Sequence, residues 1–100
     1  MNLGILVNTD KNLDSILGIT KSALAKGHTV SIFSMDAGTK LLGNPSFTSL
    51  CKTQGVTMSF CDHSAKHINA PTEGLPAEIA CGSQFDNANM NHDADKVIVL

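Results

Sequence analysis

The stretch Leu3-Gly4-Ile5-Leu6-Val7, closed by the polar Asn8-Thr9-Asp10, constrains this chain more than any other feature. A half-exposed strand alternates apolar and polar residues. An unbroken apolar run instead marks a strand buried on both faces, as in parallel sheets covered by helices. Directly after it, Leu13, Ile16, Leu17, Ile19, Ala23 and Leu24 recur at helical spacing. Asn12 or Asp14 is placed to cap that helix and Gly27 to stop it. Val30 to Phe33 is a second strand, led in by β-branched Thr29. Strand, helix, strand is a βαβ unit, whose crossover is expected to be right-handed.

The pattern then repeats more loosely. Met35 to Asn44 contains Asp36-Ala37-Gly38 and Gly43-Asn44-Pro45, so it reads mostly as loop with one helical turn around Lys40 to Leu42. Ser46 is placed to cap a short helix carrying Phe47, Leu50 and Cys51, which ends near Gly55. Val56 to Phe60 is a third strand. Cys61 follows it immediately, and Asp62 to Ile68 reads as one or two helical turns. Pro71, Gly74 and Pro76 interrupt the backbone, and Leu75 to Cys81 fits a brief strand or turn. Phe85 to Met90 is a weak, asparagine-rich helix, and Lys96 to Leu100 is the last strand. Strands separated by helical segments make an open α/β sheet. In 100 residues there is room for one core and one domain. Its stability margin is thin, which favours self-association.

Composition narrows the classes of function. Apolar residues make up 42%, charged residues 16%, and the net charge is −2. Such a weakly charged surface leaves apolar patches for protein partners and lacks the basic field that draws nucleic acid or membranes. All seven basic residues are lysines, so no arginine can grip phosphate or carboxylate with two parallel hydrogen bonds. Four scattered phenylalanines make no base-stacking platform. Neither a nucleic-acid nor a membrane partner is expected. The residues after Met1 lack the basic leader and cleavage site of a signal peptide. No stretch approaches the ~20 apolar residues of a membrane span. With three cysteines, an odd count, the expectation is a cytoplasmic protein with reduced thiols.

Open parallel sheets bind ligands at the carboxyl ends of their strands. Asn8 to Asn12, Ser34 to Gly38 and Cys61 to His67 lie there, and only the last gathers reactive side chains. Cys61 stands where strand passes into helix, and unpaired backbone N–H groups and the helix dipole favour an anion at such a junction. Its thiol is expected to ionise more readily than a free cysteine. Lys66 and a protonated His63 or His67 would push the same way, and Asp62 the other. Cys51 has helical spacing with Phe47 and Leu50 and reads as core. Cys81 sits in a Pro/Gly-rich region where structural and functional readings both stand. His63 and His67 are spaced i, i+4 and share a helix face. With Cys61 or Cys81 they offer three ligands to zinc, though no CxxC or HExxH pattern accompanies them. Asp10, Asp36, Glu73 and Glu78 read as caps and solvated loop residues. There is no glycine-rich dinucleotide fingerprint and no GxxxxGK phosphate loop, so no cofactor is expected.

Taken together, these features resemble the DsrE/DsrF/TusD family of small sulfur-relay proteins. The likeness is carried by Leu3 to Val7 with its polar end, the amphipathic helix, Lys26-Gly27-His28-Thr29-Val30, Phe33 leading to Asp36-Ala37-Gly38, and Ala94 to Leu100. Its strongest part is Gly55-Val56-Thr57-Met58-Ser59-Phe60-Cys61, a strand that delivers a cysteine straight into a helix. The resemblance implies a three-layer α/β/α domain over residues 1–100, with a short, mostly parallel sheet of four or five strands. It also implies assembly into homo- or hetero-oligomers and a persulfide carried on Cys61. Cys61 would accept sulfane sulfur from a persulfide donor protein and pass it to an acceptor protein, with His63, Lys66 and His67 in support. Cys81 would resolve the persulfide as an internal disulfide if the two Cα atoms lie within ~7 Å. Relay members often carry arginines in the helix after the cysteine, where this chain has Lys66 and His67.

Two readings of other classes stand beside this one. The chain could be a non-catalytic, oligomer-forming interaction subunit in which Cys61 is merely packed. Alternatively it could be a small metal-binding module built on Cys61, His63 and His67. The relay reading requires a sulfur that solvent can reach.

Overall fold

Five strands form one sheet in a computed structural model that describes residues 1–100. They are β1 (Asn2–Val7), β2 (Thr29–Ser34), β3 (Val56–Cys61), β4 (Ile79–Gly82) and β5 (Lys96–Val99). Every pairing is parallel, and the spatial order is β4-β3-β2-β1-β5. Four α-helices complete the chain: α1 (Leu13–Ala25), α2 (Pro45–Thr48), α3 (Asp62–His67) and α4 (Gln84–Asp93). The result is the three-layer α/β/α arrangement, with all five strands parallel.

Strand order and handedness together decide which face each helix covers. From β1 to β4 the chain steps sideways in one direction, so right-handed crossovers put α1, α2 and α3 on one face. There Ile16, Leu41, Leu42, Phe47, Leu50, Cys51 and Ala65 pack against Ile5, Val7, Val30, Ile32, Val56, Met58, Phe60 and Ile79. These strand residues sit at alternate positions, as the period of two requires. From edge strand β4 the chain must return to β5 at the far edge. That step reverses direction, so α4 crosses the opposite face, where Phe33, Cys61 and Met90 form a second, smaller cluster with Leu6, Met35 and Val97 around it. Ten residues of helix reach only ~15 Å, and four strand spacings span ~19 Å. Part of that face therefore stays open as a shallow groove of about 260 Å³, lined in part by Ser31, Thr57, Ser59, Ala80 and Met90.

Local chemistry accounts for the element ends and for three departures from the sequence reading. Asn12 does stand at the start of α1 but closes no side-chain cap; its amide reaches the Leu100 carbonyl at 3.5 Å instead. Gly27 ends α1 as expected, with φ of 84° and its N–H bonded to Leu24 O at 3.0 Å. The segment read mostly as loop is a 3₁₀ helix, Asp36–Gly43, that buries Leu41 and Leu42. Gly38 suggested a turn, yet its φ is unexceptional. Glycine is needed there because a Cβ would strike the backbone carbonyl of Val7. Finally, Asn44 rather than Ser46 caps the next helix: its Oδ1 accepts from the Ser46 N–H at 2.9 Å, and Pro45 takes the first helical position.

The close approach of Gly38 to β1 gives a stability test. A Gly38→Ala variant is expected to lose about 1–3 kcal/mol, read as a lower urea midpoint with an unchanged slope. An unchanged midpoint would mean that the 3₁₀ segment can lift off β1 at no cost.

Candidate functional site

After β3 the chain turns onto the α1 face, and after β4 it turns onto the α4 face. Adjacent strands whose connections diverge leave a crevice at their carboxyl ends, and that is where open α/β sheets hold ligands. Cys61 is the last residue of β3 and pairs in register with Gly82, the last residue of β4. Cys61 is also the N-cap of α3, with extended backbone angles of −82° and 112°. Neither cavity in the structure is lined by Cys61 or Gly82, and the start of α4 closes over this point. There the Ser83 hydroxyl accepts from Phe85 N–H at 3.2 Å, and Asp86 Oδ2 accepts from Ser83 N–H at 2.8 Å. This reciprocal pair is a capping box. It presses so closely on the sheet that a Cβ at residue 82 would overlap the Asp86 carboxylate. Glycine at 82 is what allows α4 to begin directly over the end of β4.

The sulfur itself is covered. Period-two alternation points the Cys61 side chain to the α4 face, where it packs with Phe33 and Met90 and is only 3% exposed. The relay reading of the sequence needs an accessible sulfur; the structure corrects this, because α4 crosses the face onto which Cys61 points. Gln84, the first residue of α4 and itself exposed, is among the side chains that act on the thiol.

Burial is the largest single influence on the Cys61 thiol and pushes its pKa up. Four donors together overturn it: the Ser64 hydroxyl, the Ser64 N–H, the Gln84 side chain and the His63 N–H. The net result lies below the ordinary cysteine value. None of these contacts closes as a tight N-cap bond from the Cys61 side chain. They are donors of the kind that favour a thiolate, whose charge strengthens such interactions. The other two cysteines go the opposite way. Burial, then the nearby Glu78 carboxylate, raises Cys51; burial, then Asp62, raises Cys81.

The remaining sequence candidates divide clearly. The Lys66 ammonium is held by Asp62 at 2.9 Å, across one helical turn, and does not reach Cys61 as a free charge. His63 and His67 stack on each other with ring centroids 6.4 Å apart, both exposed. Only the backbone N–H of His63 serves the sulfur. Cys81 pairs in register with Phe60, so it shares the α1 face, and the sheet lies between its side chain and that of Cys61. Two cysteines whose Cβ vectors point apart cannot join without backbone movement. Cys61, His63 and His67 do not converge, and no three His, Cys, Asp or Glu side chains are gathered as metal ligands would be. Ser64 and Gln84 were absent from the sequence reading. The Ser83-x-x-Asp86 capping box was a legible sign that a helix, and hence Gln84, begins at this point.

This geometry defines a small α/β protein with a covered, acidic cysteine at the switch point of an all-parallel sheet. Solved structures share the fold, among them these two. One is the YchN protein from E. coli, with a TM-score of 0.74 and 13% identity over 100% of both chains. The other is MTH1491 from Methanobacterium thermoautotrophicum, a protein of unknown function, with a TM-score of 0.76 and 12% identity over 99% of this chain and 98% of that one. At such identities the likeness is one of fold. No protein-family model and no curated protein matches the sequence. No helix is long and apolar enough to cross a membrane.

Alkylation resolved by cysteine provides the check on the electrostatics. Cys61 is expected to reach half its maximal rate at a lower pH than Cys81 or Cys51, whatever the absolute rates. The sign for stability follows from linkage. A thiol more acidic when folded than when unfolded contributes stability that is full above the unfolded pKa and fades as pH falls through the folded one. Cys61→Ser should remove that portion of the pH dependence. A Cys61 midpoint at or above that of Cys81 would show that the donors do not outweigh burial.

Proposed function

We propose that this chain is a cytoplasmic sulfur carrier, holding sulfane sulfur as a persulfide on Cys61 and relaying it between partner proteins. One observation carries the reading: of three cysteines, only Cys61 is made more acidic, by donors from two helices, α3 and α4. The fold shared with YchN and MTH1491, which is of the DsrE/TusD type, supports it. So does the strand-to-helix placement of the cysteine, the strongest part of the family resemblance.

The chemistry balances without an external oxidant. The Cys61 thiolate attacks the outer sulfur of a donor persulfide; the donor's S–S bond breaks, and the donor leaves as a thiolate. Cys61 then carries the S–SH group. An acceptor thiolate takes the outer sulfur in the same way and returns Cys61 to its thiolate form. Ser64, Gln84 and the N–H groups of His63 and Ser64 stabilise the charged sulfur at both stages. Lys66 and the imidazoles of His63 and His67 take no direct part in this scheme. Because Cys81 faces the other side of the sheet, the persulfide is discharged to an external thiol rather than resolved within the chain. Homo- or hetero-oligomeric assembly belongs to the same reading.

The burial of Cys61 favours a second reading, a non-catalytic interaction subunit in which this cysteine only fills space between Phe33 and Met90. Incubation with a persulfide donor separates the two. The carrier reading expects peptide mass spectrometry to find a gain of about 32 Da, one sulfur atom, on Cys61. Cys61→Ser is expected to abolish loading and to leave the fold intact. An unmodified Cys61 peptide from natively folded protein supports the packed subunit instead.

A further inference from the structure

Two imidazoles are left over once the sulfur chemistry is accounted for. His63 and His67 lie one turn apart on α3, with ring centroids 6.4 Å apart and ring planes within 15° of parallel. The i, i+4 spacing puts both on one side of the helix, and both are open to solvent. Helices present two histidines to zinc at this same spacing. Metal–nitrogen bonds of about 2.0–2.1 Å bring two ligating rings to centroid separations of roughly 5–6 Å. Rotation of exposed side chains covers that difference. The neighbouring charge does not oppose a cation, because the Lys66 ammonium is already held by Asp62 at 2.9 Å. The remaining two of the four histidines, His28 and His92, stand on other parts of the chain, before β2 and in α4.

We propose that His63 and His67 form a two-imidazole clamp for a borderline divalent cation, Zn²⁺ or its first-row neighbours, on the outer face of α3. No third histidine, cysteine, aspartate or glutamate converges there, so water fills the other positions and the ion stays open to a further donor. This inference does not depend on the sulfur-carrier reading. It does reach the candidate site through the helix. α3 has only six residues, too few for a helix to hold by itself in water. A clamp across one of its turns forms only while the turn is helical, so a bound ion stabilises that form. Cys61 is the N-cap of the same helix. The ion thus firms the backbone beside the sulfur without touching it.

Titration of the whole chain with Zn²⁺, followed by NMR of the four imidazoles, tests this. The His63 and His67 signals should move together and saturate at one equivalent, while those of His28 and His92 stay in place and report an intact fold. His63→Gln and His67→Gln each leave a single ligand and should weaken zinc binding roughly 100-fold, the advantage that joining two ligands supplies. With zinc at 100 times its Kd, amide exchange that requires α3 to open should slow roughly 100-fold in the native protein and stay unchanged in both variants. Thiols compete for zinc, so the titration is repeated with Cys61→Ser and Cys81→Ser combined. The same paired movement of His63 and His67 there supports the clamp. Loss of binding in that double variant, movement of only one of the two signals, or a shift shared by all four histidines would overturn it. Exchange in α3 that ignores bound zinc would overturn its coupling to the helix.

Discussion

The return of the chain from β4 to β5 is the constraint on which the rest of this structure depends. Three crossovers step across the sheet in one direction and the fourth goes back, and right-handedness sends that fourth one over the opposite face. From this follow the lone helix on that face and the divergence of the chain after β3 and β4. Cys61 lies at that divergence because β3 ends there, and it is covered because its side chain points to the face that α4 crosses. Gly82 and the capping box then set how closely the helix can begin.

Cys51 and Cys61 make a controlled comparison of what tunes a thiol. Both are buried, at 7% and 3% exposure, and for both burial is the largest influence. Their pKa values nevertheless move in opposite directions. Burial therefore does not decide the outcome; the neighbours do. Cys51 has a carboxylate, Glu78, nearby, whereas Cys61 stands at a strand-to-helix junction where N–H groups have no partner within the helix. The macrodipole adds little in a helix as short as α3, six residues long, and the named hydrogen bonds act in its place.

Much of this was legible in the sequence, because periodicity and punctuation are local. The apolar run of β1, the stripe of α1, the Gly27 stop and the passage from β3 to Cys61 all appear within windows of a dozen residues. What escaped depended on distant partners. Gly38 and Gly43 read as breakers, and nothing local says that Gly38 is small in order to meet Val7. In α4, Met90 is the only buried residue and Phe85 is exposed, so a helix lying over one strip of sheet leaves no apolar stripe to detect. Cys61 was found by position, but its burial follows from the path of α4. Cys81 shows how sharp the limit is: one residue of register decides which side of the sheet a sulfur occupies.

Along β3, the α4-facing residues record that path. Thr57 is exposed, Ser59 half-buried and Cys61 buried, three positions on one face with burial rising toward the carboxyl end. Small hydroxyl side chains stand where the helix does not reach, and the sulfur stands where it does. This gradient bears on how an acidic thiol can be kept at all. A low-pKa thiolate open to solvent is the form of cysteine most readily oxidised, because susceptibility follows thiolate character and exposure together. Placing the sulfur under the first turn of α4 separates those two properties. The donors maintain its acidity, while packing against Phe33 and Met90 keeps it from the medium.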